Sequence, residues 1–493
     1  MLNDKDLKYF IFLDLIFTTR VIIYIAKINY KKIYQRTIYI IMKKIIIFSV
    51  LILLLIHFQT AIMEQRIAQN ISSTVATTDN LQAKIMSALE ATSHYPKDKP
   101  ATVAPLLEWK EDLNAVYYQL EVFAKLPDNL SDSEISSEHL FFTAQVYTHA
   151  YHIDLQKIAP EYIAKEPLFW RVRSMDIDGN PISKFSKPEI LYSENKAPTM
   201  NSPLPHVQYN KENGTTLLYP VYSFVPNANA TQFEIEVTDK KPENPNGIEP
   251  SVHRIFSQIV TGGELYDPDP RIGTYYWRVR GLDDNNNPVG VYCDAQEIRN
   301  EPADNWQFAI LGDSISHGGG HLSFGPADWQ YSYAYYLDFP TINLSFSGDT
   351  SETTLERFDR DVVPFHPQYL LIMTGTNSLR AGVPAEKVIS DLKQIQLKCR
   401  QNNITPILLT LAPINPDNIK KVFDQGTSNS WQENFDEVNA FIRTQAHIDT
   451  AGELNSPAIL PTEYAMDGLH GDVNAKQLYA KAINEQIGQF INK

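Results

Sequence analysis

Between about residues 100 and 300, apolar and polar residues alternate with period two, as in Tyr118-Gln119-Leu120-Glu121-Val122 and Phe233-Glu234-Ile235-Glu236-Val237. That alternation predicts strands with one buried face. From Trp306 the rhythm changes. Short, wholly apolar runs (Phe308-Ala309-Ile310-Leu311, Tyr369-Leu370-Leu371-Ile372-Met373, Ile407-Leu408-Leu409-Thr410-Leu411) alternate with helical segments at about 328–338, 351–359, 384–402, 430–446 and 473–491. Strands buried on both faces and alternating with amphipathic helices predict a parallel sheet covered by helices. In such sheets active residues gather at the carboxyl ends of the strands. Upstream, residues 62–97 are polar with scattered apolar positions (Ile67, Leu81, Ile85, Leu89), which predicts a short helical stalk.

The β region contains a repeat. FWRVRSMDIDGNP, ending at Pro181, matches YWRVRGLDDNNNP, ending at Pro288, and Trp170 and Trp277 hold the same place in each. Two copies of a unit of about 100 residues follow, at 98–195 and 196–300. The YxWRVRxxD signature resembles fibronectin type III-like sandwiches, which implies that each Trp is core and each Asp/Gly/Asn run a hairpin turn. DIDGN (Asp176 to Asn180) also invites a calcium reading. An EF-hand loop needs Glu at its twelfth position, where Lys187 stands, so a turn is expected.

Length suggests about three domains. The net charge of −15 argues against a nucleic-acid partner, which would require a basic patch. Residues 1–61 nevertheless carry nine Lys/Arg against three Asp, so the remainder is more acidic than the total. Residues 45–58 form an uncharged apolar run preceded by Met42, Lys43 and Lys44. A basic start and a run of about 14 residues, below the roughly 20 that span a bilayer, have the layout of a signal peptide. Translation is accordingly expected to start at Met42, with 1–41 an over-extended gene start and 42–61 the leader of a secreted or periplasmic protein. Gln59 ahead of Ala61 makes a poor cleavage site, so an uncleaved signal anchor, the one route to a membrane, is the alternative. No Cys follows the run, which excludes a lipoprotein anchor. Cys293 and Cys399 fall in different units and are expected to be free buried thiols.

Four motifs carry chemistry. Gly312-Asp313-Ser314 follows the strand ending at Leu311, where a tight turn exposes a serine and a helix N-terminus offers N–H groups to a developing anion. Ser347-Gly348-Asp349-Thr350 follows the strand Thr341 to Leu344, and Gly348 presents an unobstructed N–H. Gly375-Thr376-Asn377 follows the strand ending at Met373 and supplies a side-chain amide. In Asp467-Gly468-Leu469-His470 a carboxylate three residues before a histidine can hold Nδ1 and leave Nε2 facing a nucleophile.

Each motif is ambiguous alone, but the order GDS, SGDTS, GTN, DGLH over about 190 residues resembles the SGNH (GDSL-type) hydrolases. INLSFSGDTS and GTNSLRAG extend the likeness beyond the core letters; Gly471 departs from it, standing where many members have proline. The resemblance implies a flavodoxin-like α/β/α fold over 301–493 and a serine esterase needing neither metal nor cofactor. It implies Ser314 as nucleophile, His470 as base, Asp467 as its partner, and Ser314 N–H, Gly348 and Asn377 as the oxyanion hole. The expected substrate is a short acyl ester, foremost acetyl, on carbohydrate or another small alcohol. A lipolytic esterase or lysophospholipase is the alternative enzyme, and a non-catalytic glycan-binding or adhesion protein the alternative of another class. His317 and His321 are expected as loop residues, with substrate contact or metal as the other readings. The cluster Trp329, Tyr331, Tyr333, Tyr335 and Tyr336 is expected to be chiefly core, with rings stacking on a sugar as the alternative.

Overall fold

A computed structural model describes residues 87–206, 215–454 and 459–491. The expected gene-start extension (1–41), the leader (42–61) and most of the stalk (62–97) lie outside the described residues. Where the stalk region is described it is extended rather than helical. Ala91 bridges to Trp109 and Tyr95 to Leu191, and Leu89 and Tyr95 pack on the core of the first β unit. Those apolar contacts and strand-like hydrogen bonds outweigh any local helical preference. Among the described residues no helix is long and apolar enough to cross a membrane.

Both β units are antiparallel. In the first, Tyr117–Phe123 lies between Phe141–Val146 and Leu168–Met175, and Leu106–Glu108 pairs with Ala150–His152 in a second small sheet. In the second, Gln232–Thr238 lies between Arg254–Val260 and Gly273–Leu282, and Val221–Val225 pairs with Glu264–Tyr266. The repeat holds in three dimensions. Trp170 faces Val122 across the ladder and Trp277 faces Val237, and both indoles are fully buried. The next residue in each copy is an arginine, buried on the opposite face of its strand. Arg171 Nε donates to Glu121 at 2.6 Å, and Arg278 Nε donates to Glu236 at 2.5 Å. Each guanidinium also donates to a carbonyl of the loop that covers it, Glu134 O or Asn244 O, at 2.9 Å. Such bonds offset the desolvation that a buried ion pair costs. The hairpin turns match as well. Asp176 accepts from the N–H groups of Asp178 and Asn180, and Asp283 from those of Asn285 and Asn287, all at 2.8 Å.

The C-terminal domain is built on a six-stranded parallel sheet: β1 (Thr216–Leu217), β2 (Phe308–Gly312), β3 (Thr341–Asn343), β4 (Tyr369–Met373), β5 (Thr405–Leu409) and β6 (His447–Ile448), in the order β6-β5-β4-β2-β3-β1. Leaving β1 aside, this is the doubly wound order with its reversal at β2. β1 comes from the stretch that periodicity places in the second β unit. It joins because Thr216 and Leu217 pair with Ile342 and Asn343, while Leu217, Leu218 and Tyr219 enter the core of this domain. Helices at Ser351–Glu356, Ala385–Gln401 and Trp431–Arg443 pack together, and a second group joins Val473–Gln486 to the turns around residue 330.

Two differences from the expected helices matter for the site. The segment 328–338 forms two short 3₁₀ turns, Trp329–Tyr331 and Tyr333–Tyr336, interrupted at Ser332, whose hydroxyl accepts from Ala334 N–H. Trp329, Tyr331 and Tyr333 are buried, whereas Tyr335 is 40 % exposed. An additional helix, Pro416–Phe423, is capped by Asn415 and brings Phe423 to the site. The β units are tied to this domain by Gln330 to Glu111 (2.9 Å), Tyr331 Oη to Leu113 O (2.6 Å) and His206 to Asp328 (2.7 Å). Cys293 and Cys399 are free and buried.

Candidate active site

The carboxyl ends of β2, β3 and β4 bring three of the four motifs together. Gly312 ends β2 where it touches β4 so closely that a Cβ would lie 2.1 Å from Met373 O. Asp313 then caps the short helix Ser314–His317 by accepting from Ile315 N–H, which leaves Ser314 at the helix start. Behind it, the buried Arg357 donates to Gly312 O (3.0 Å) and to Asp349 (2.5 Å), bracing the end of β2 against the loop after β3. Asn343 fixes the other side of that loop. Its amide donates to Ser316 O at 2.8 Å and accepts from Ser345 N–H at 3.0 Å.

The fourth motif arrives from the far end of the chain. His470 Nε2 lies 2.9 Å from Ser314 Oγ, and Nδ1 lies 2.8 Å from Asp467 Oδ2. With Nδ1–H donating to the carboxylate, Nε2 is free to accept the serine proton. The other oxygen of Asp467 accepts the N–H groups of Leu469 and His470, each at 2.8 Å. Gly468 makes this local loop possible. It sits at φ +80°, and a Cβ there would lie 2.4 Å from Asn415 O. Burial pushes the Asp467 carboxyl up, but His470 and the two backbone donors together hold it below the usual carboxylate range.

Ser314, Gly348, Asn377 and His470 line one cleft of about 330 Å³. Among the described residues, the N–H groups of Ser314 and Gly348 donate to no protein acceptor. Gly348 adopts φ +91° with open space where a Cβ would be. Asn377 Nδ2 donates one proton to Asp349 O at 2.9 Å and Oδ1 accepts from Arg380 at 3.3 Å, which leaves a second amide N–H.

Residues 310–476 match the model of the GDSL-like lipase/acylhydrolase family. The chain carries a GDSL-like lipase/acylhydrolase domain. That match marks the domain as a carboxylic ester hydrolase. Solved structures similar to part of the chain include three enzymes. A GDSL-like lipase from Bacteroides thetaiotaomicron is 16 % identical over 38 % of this chain and 91 % of its own, with a TM-score of 0.31. The psychrotrophic esterase EstA from Pseudoalteromonas is 20 % identical over 38 % and 98 %, with a TM-score of 0.29. A catalytic mutant of an acetylxylan esterase from Geobacillus stearothermophilus is 18 % identical over 37 % and 93 %, with a TM-score of 0.28. No curated protein matches the sequence.

The GDSL-like domain uses His317 and His321 differently from a ligand pair. His317 is buried, its Nε2–H donates to Tyr219 O at 2.8 Å, and its Nδ1 therefore accepts from Ser347 Oγ at 2.8 Å. Burial pushes both imidazoles down to about 4, so they are neutral. His317 thus anchors the loop that carries Gly348. His321 instead sets its ring edge-on to Phe324 at 4.9 Å, and Phe324 lines the cleft.

Sequence reading missed several residues here. Tyr266 reaches the cleft of the GDSL-like domain from the second β unit, its ring 6.2 Å from His317. Phe423, Gln425 and Arg380 also line it. Near Ser314, the fully buried Lys476 donates to Ile315 O at 2.8 Å and clamps the helix that begins there. Burial lowers Lys476 to about 8 and raises Asp313 and Asp472 to about 7. Lys476 reads as a solvated helix residue in the sequence. Arg380 lies in the GTNSLRAG string, which gave no hint of its position in the cleft.

Proposed function

We propose that this protein is an exported serine esterase that removes short acyl groups, foremost acetyl, from carbohydrate. The observation that carries the reading is the hydrogen-bonded chain Asp467–His470–Ser314 opening into a modest cleft. His470 takes the Ser314 proton as Oγ attacks the ester carbonyl. The N–H groups of Ser314 and Gly348 and the Asn377 amide hold the oxyanion, a contribution of about 10²–10³ for each donor. His470 then protonates the departing alcohol, and water activated by the same imidazole releases the acid. Asp467 stays ionised throughout and keeps the imidazole in the required tautomer.

The aromatic rings of Tyr266 and Phe423 at the rim support a carbohydrate alcohol, since such rings offer flat apolar faces. The two antiparallel units fit fibronectin III-like spacers, with the second supplying a wall of the cleft. Export rests on the apolar leader after Met42. A longer acyl pocket is the competing reading, favoured by Phe324, Phe423 and Leu469 in the lining. Hydrolysis of p-nitrophenyl acetate, butyrate and octanoate by the full chain, with Ser314→Ala in parallel, separates the two. Turnover that falls with chain length and is lost in the variant is the expected result. A preference for octanoate would favour the lipolytic reading, and activity surviving the substitution would remove Ser314 from the mechanism.

A further inference from the structure

Among the described residues, buried arginines make short, well-paired bonds, most of them to carboxylates: Arg357 with Asp349 at 2.5 Å, Arg271 with Asp267 at 2.6 Å, Arg278 with Glu236 at 2.5 Å, whereas Arg173, which has no carboxylate, donates to Gln119 and to Ser133 O at 2.7 Å each. Arg380 makes none so short. It is half-buried in the wall of the cleft, and among the described residues no carboxylate lies within ion-pair distance of it. Its Nε is buried without a hydrogen-bond partner. Its terminal nitrogens make only long bonds to neutral amide oxygens, 3.3 Å to Asn377 and 3.2 Å to Gln425. Apart from His470, Arg380 is also, among the described residues, the single ionisable side chain of charged type lining the cleft. A guanidinium so placed has lost part of its hydration without gaining a contacting counter-ion; burial lowers its basicity, and the fields of Asp467 and Asp313, beyond ion-pair distance, offset that only in part. On a protein of net charge −15, it is a local positive spot beside the nucleophile in an otherwise repelling field.

We propose that Arg380 is a specificity-determining residue that selects substrates bearing a negative charge close to the scissile ester, so that the acyl group removed is carried by an acidic sugar. This rests on the esterase reading above and narrows it. The counter-ion absent from the protein is supplied by the substrate, and the long bonds to Asn377 and Gln425 are the weak contacts that a carboxylate can displace.

The test compares the O-acetylated methyl glycosides of galactose and galacturonic acid, which differ at one carbon as hydroxymethyl against carboxylate. Acetate release by the full chain is followed for wild type and Arg380→Gln. Expected is a kcat/KM ratio favouring the acidic glycoside by about tenfold at low salt, the scale of one partly screened charge pair. In Arg380→Gln that ratio falls to about one or below. The glutamine variant also slows the neutral glycoside somewhat, because Asn377 loses a donor, so the ratio is the readout. Wild type alone gives a second measurement, in which 0.5 M NaCl compresses the ratio if charge is what selects. Equal rates on the two glycosides in wild type would overturn the inference and leave the esterase reading intact. An equal loss on both in Arg380→Gln would also overturn it, and would assign the guanidinium to the oxyanion hole through Asn377. Release from neither glycoside, with p-nitrophenyl acetate still cleaved, would overturn the carbohydrate reading and this inference with it.

Discussion

Replacing Asp467 with asparagine should cost about 10⁴-fold in kcat, and the structure says why so small a change does so much. The carboxylate divides its work between two oxygens. One accepts two backbone N–H groups at 2.8 Å, and the other accepts Nδ1–H of His470 at 2.8 Å. In the variant only one end of the amide is an acceptor. Turning its NH₂ toward two backbone donors would lose two buried hydrogen bonds, at about 1–3 kcal/mol for each group left unsatisfied. The carbonyl therefore stays with the backbone and the NH₂ faces His470. Nδ1 must then accept, the ring proton moves to Nε2, and the imidazole meets Ser314 as a donor that cannot take its proton. The wrong tautomer is worth about 10⁴-fold, or about 5 kcal/mol of transition-state stabilisation. Single-turnover and steady-state kinetics on p-nitrophenyl acetate measure it, with circular dichroism showing that the fold is retained. A variant keeping more than about a tenth of wild-type kcat would refute the tautomer argument and the role of Asp467 with it.

Three other outcomes follow from the geometry. Gly468→Ala places a Cβ 2.4 Å from Asn415 O at φ +80°. It should destabilise the fold by more than the roughly 1–3 kcal/mol of backbone strain alone, seen as a lowered melting temperature, and reduce kcat through a displaced His470, and an unchanged melting curve would contradict this. Tyr266→Ala should raise KM for an acetylated oligosaccharide several-fold with a smaller change in kcat, because one stacked ring is worth about 1 kcal/mol. A change in kcat alone would remove Tyr266 from substrate binding. Burial raises Asp313 and Asp472 to about 7 in the folded state, so the native protein keeps protons that the unfolded chain has lost. Stability from this source is present below about pH 4 and declines as pH rises to about 7. Asp313→Asn retains an acceptor for Ile315 N–H but removes the share of that decline due to Asp313, leaving that of Asp472. It should narrow the difference in melting temperature between pH 5 and pH 8 by roughly 2–4 °C per kcal/mol recovered, and an unaltered difference would count against the assignment.

The features legible along the chain are those that short stretches decide locally. Phe308 to Leu311 is apolar without interruption because β2 is covered on both faces, and its alternation with helical segments, shared by the later apolar runs, implied a parallel sheet with Ser314 at the carboxyl end of a strand. Asp467 and His470 stand three residues apart around a left-handed glycine, so their hydrogen bond closes within one loop. The paired WRVR strings were legible as a repeat for the same reason, since each Trp reports its own strand.

Other features depend on which distant segments meet. Arg171 and Arg278 alternate with core residues and look like a solvent face, yet loops remote in sequence cover them and supply their partners. Lys476 reads as an exposed helix position until Ile315 O meets it from the other end of the domain. Thr216 and Leu217 became an edge strand because β3 offered an unpaired edge, something no periodicity can announce. Tyr266 and Arg380 entered the cleft through the docking of separate segments around Ser314. A period records which face of an element is covered, whereas the identity of what covers it depends on contacts between distant segments, and those exist only once the chain has closed its loops and packed.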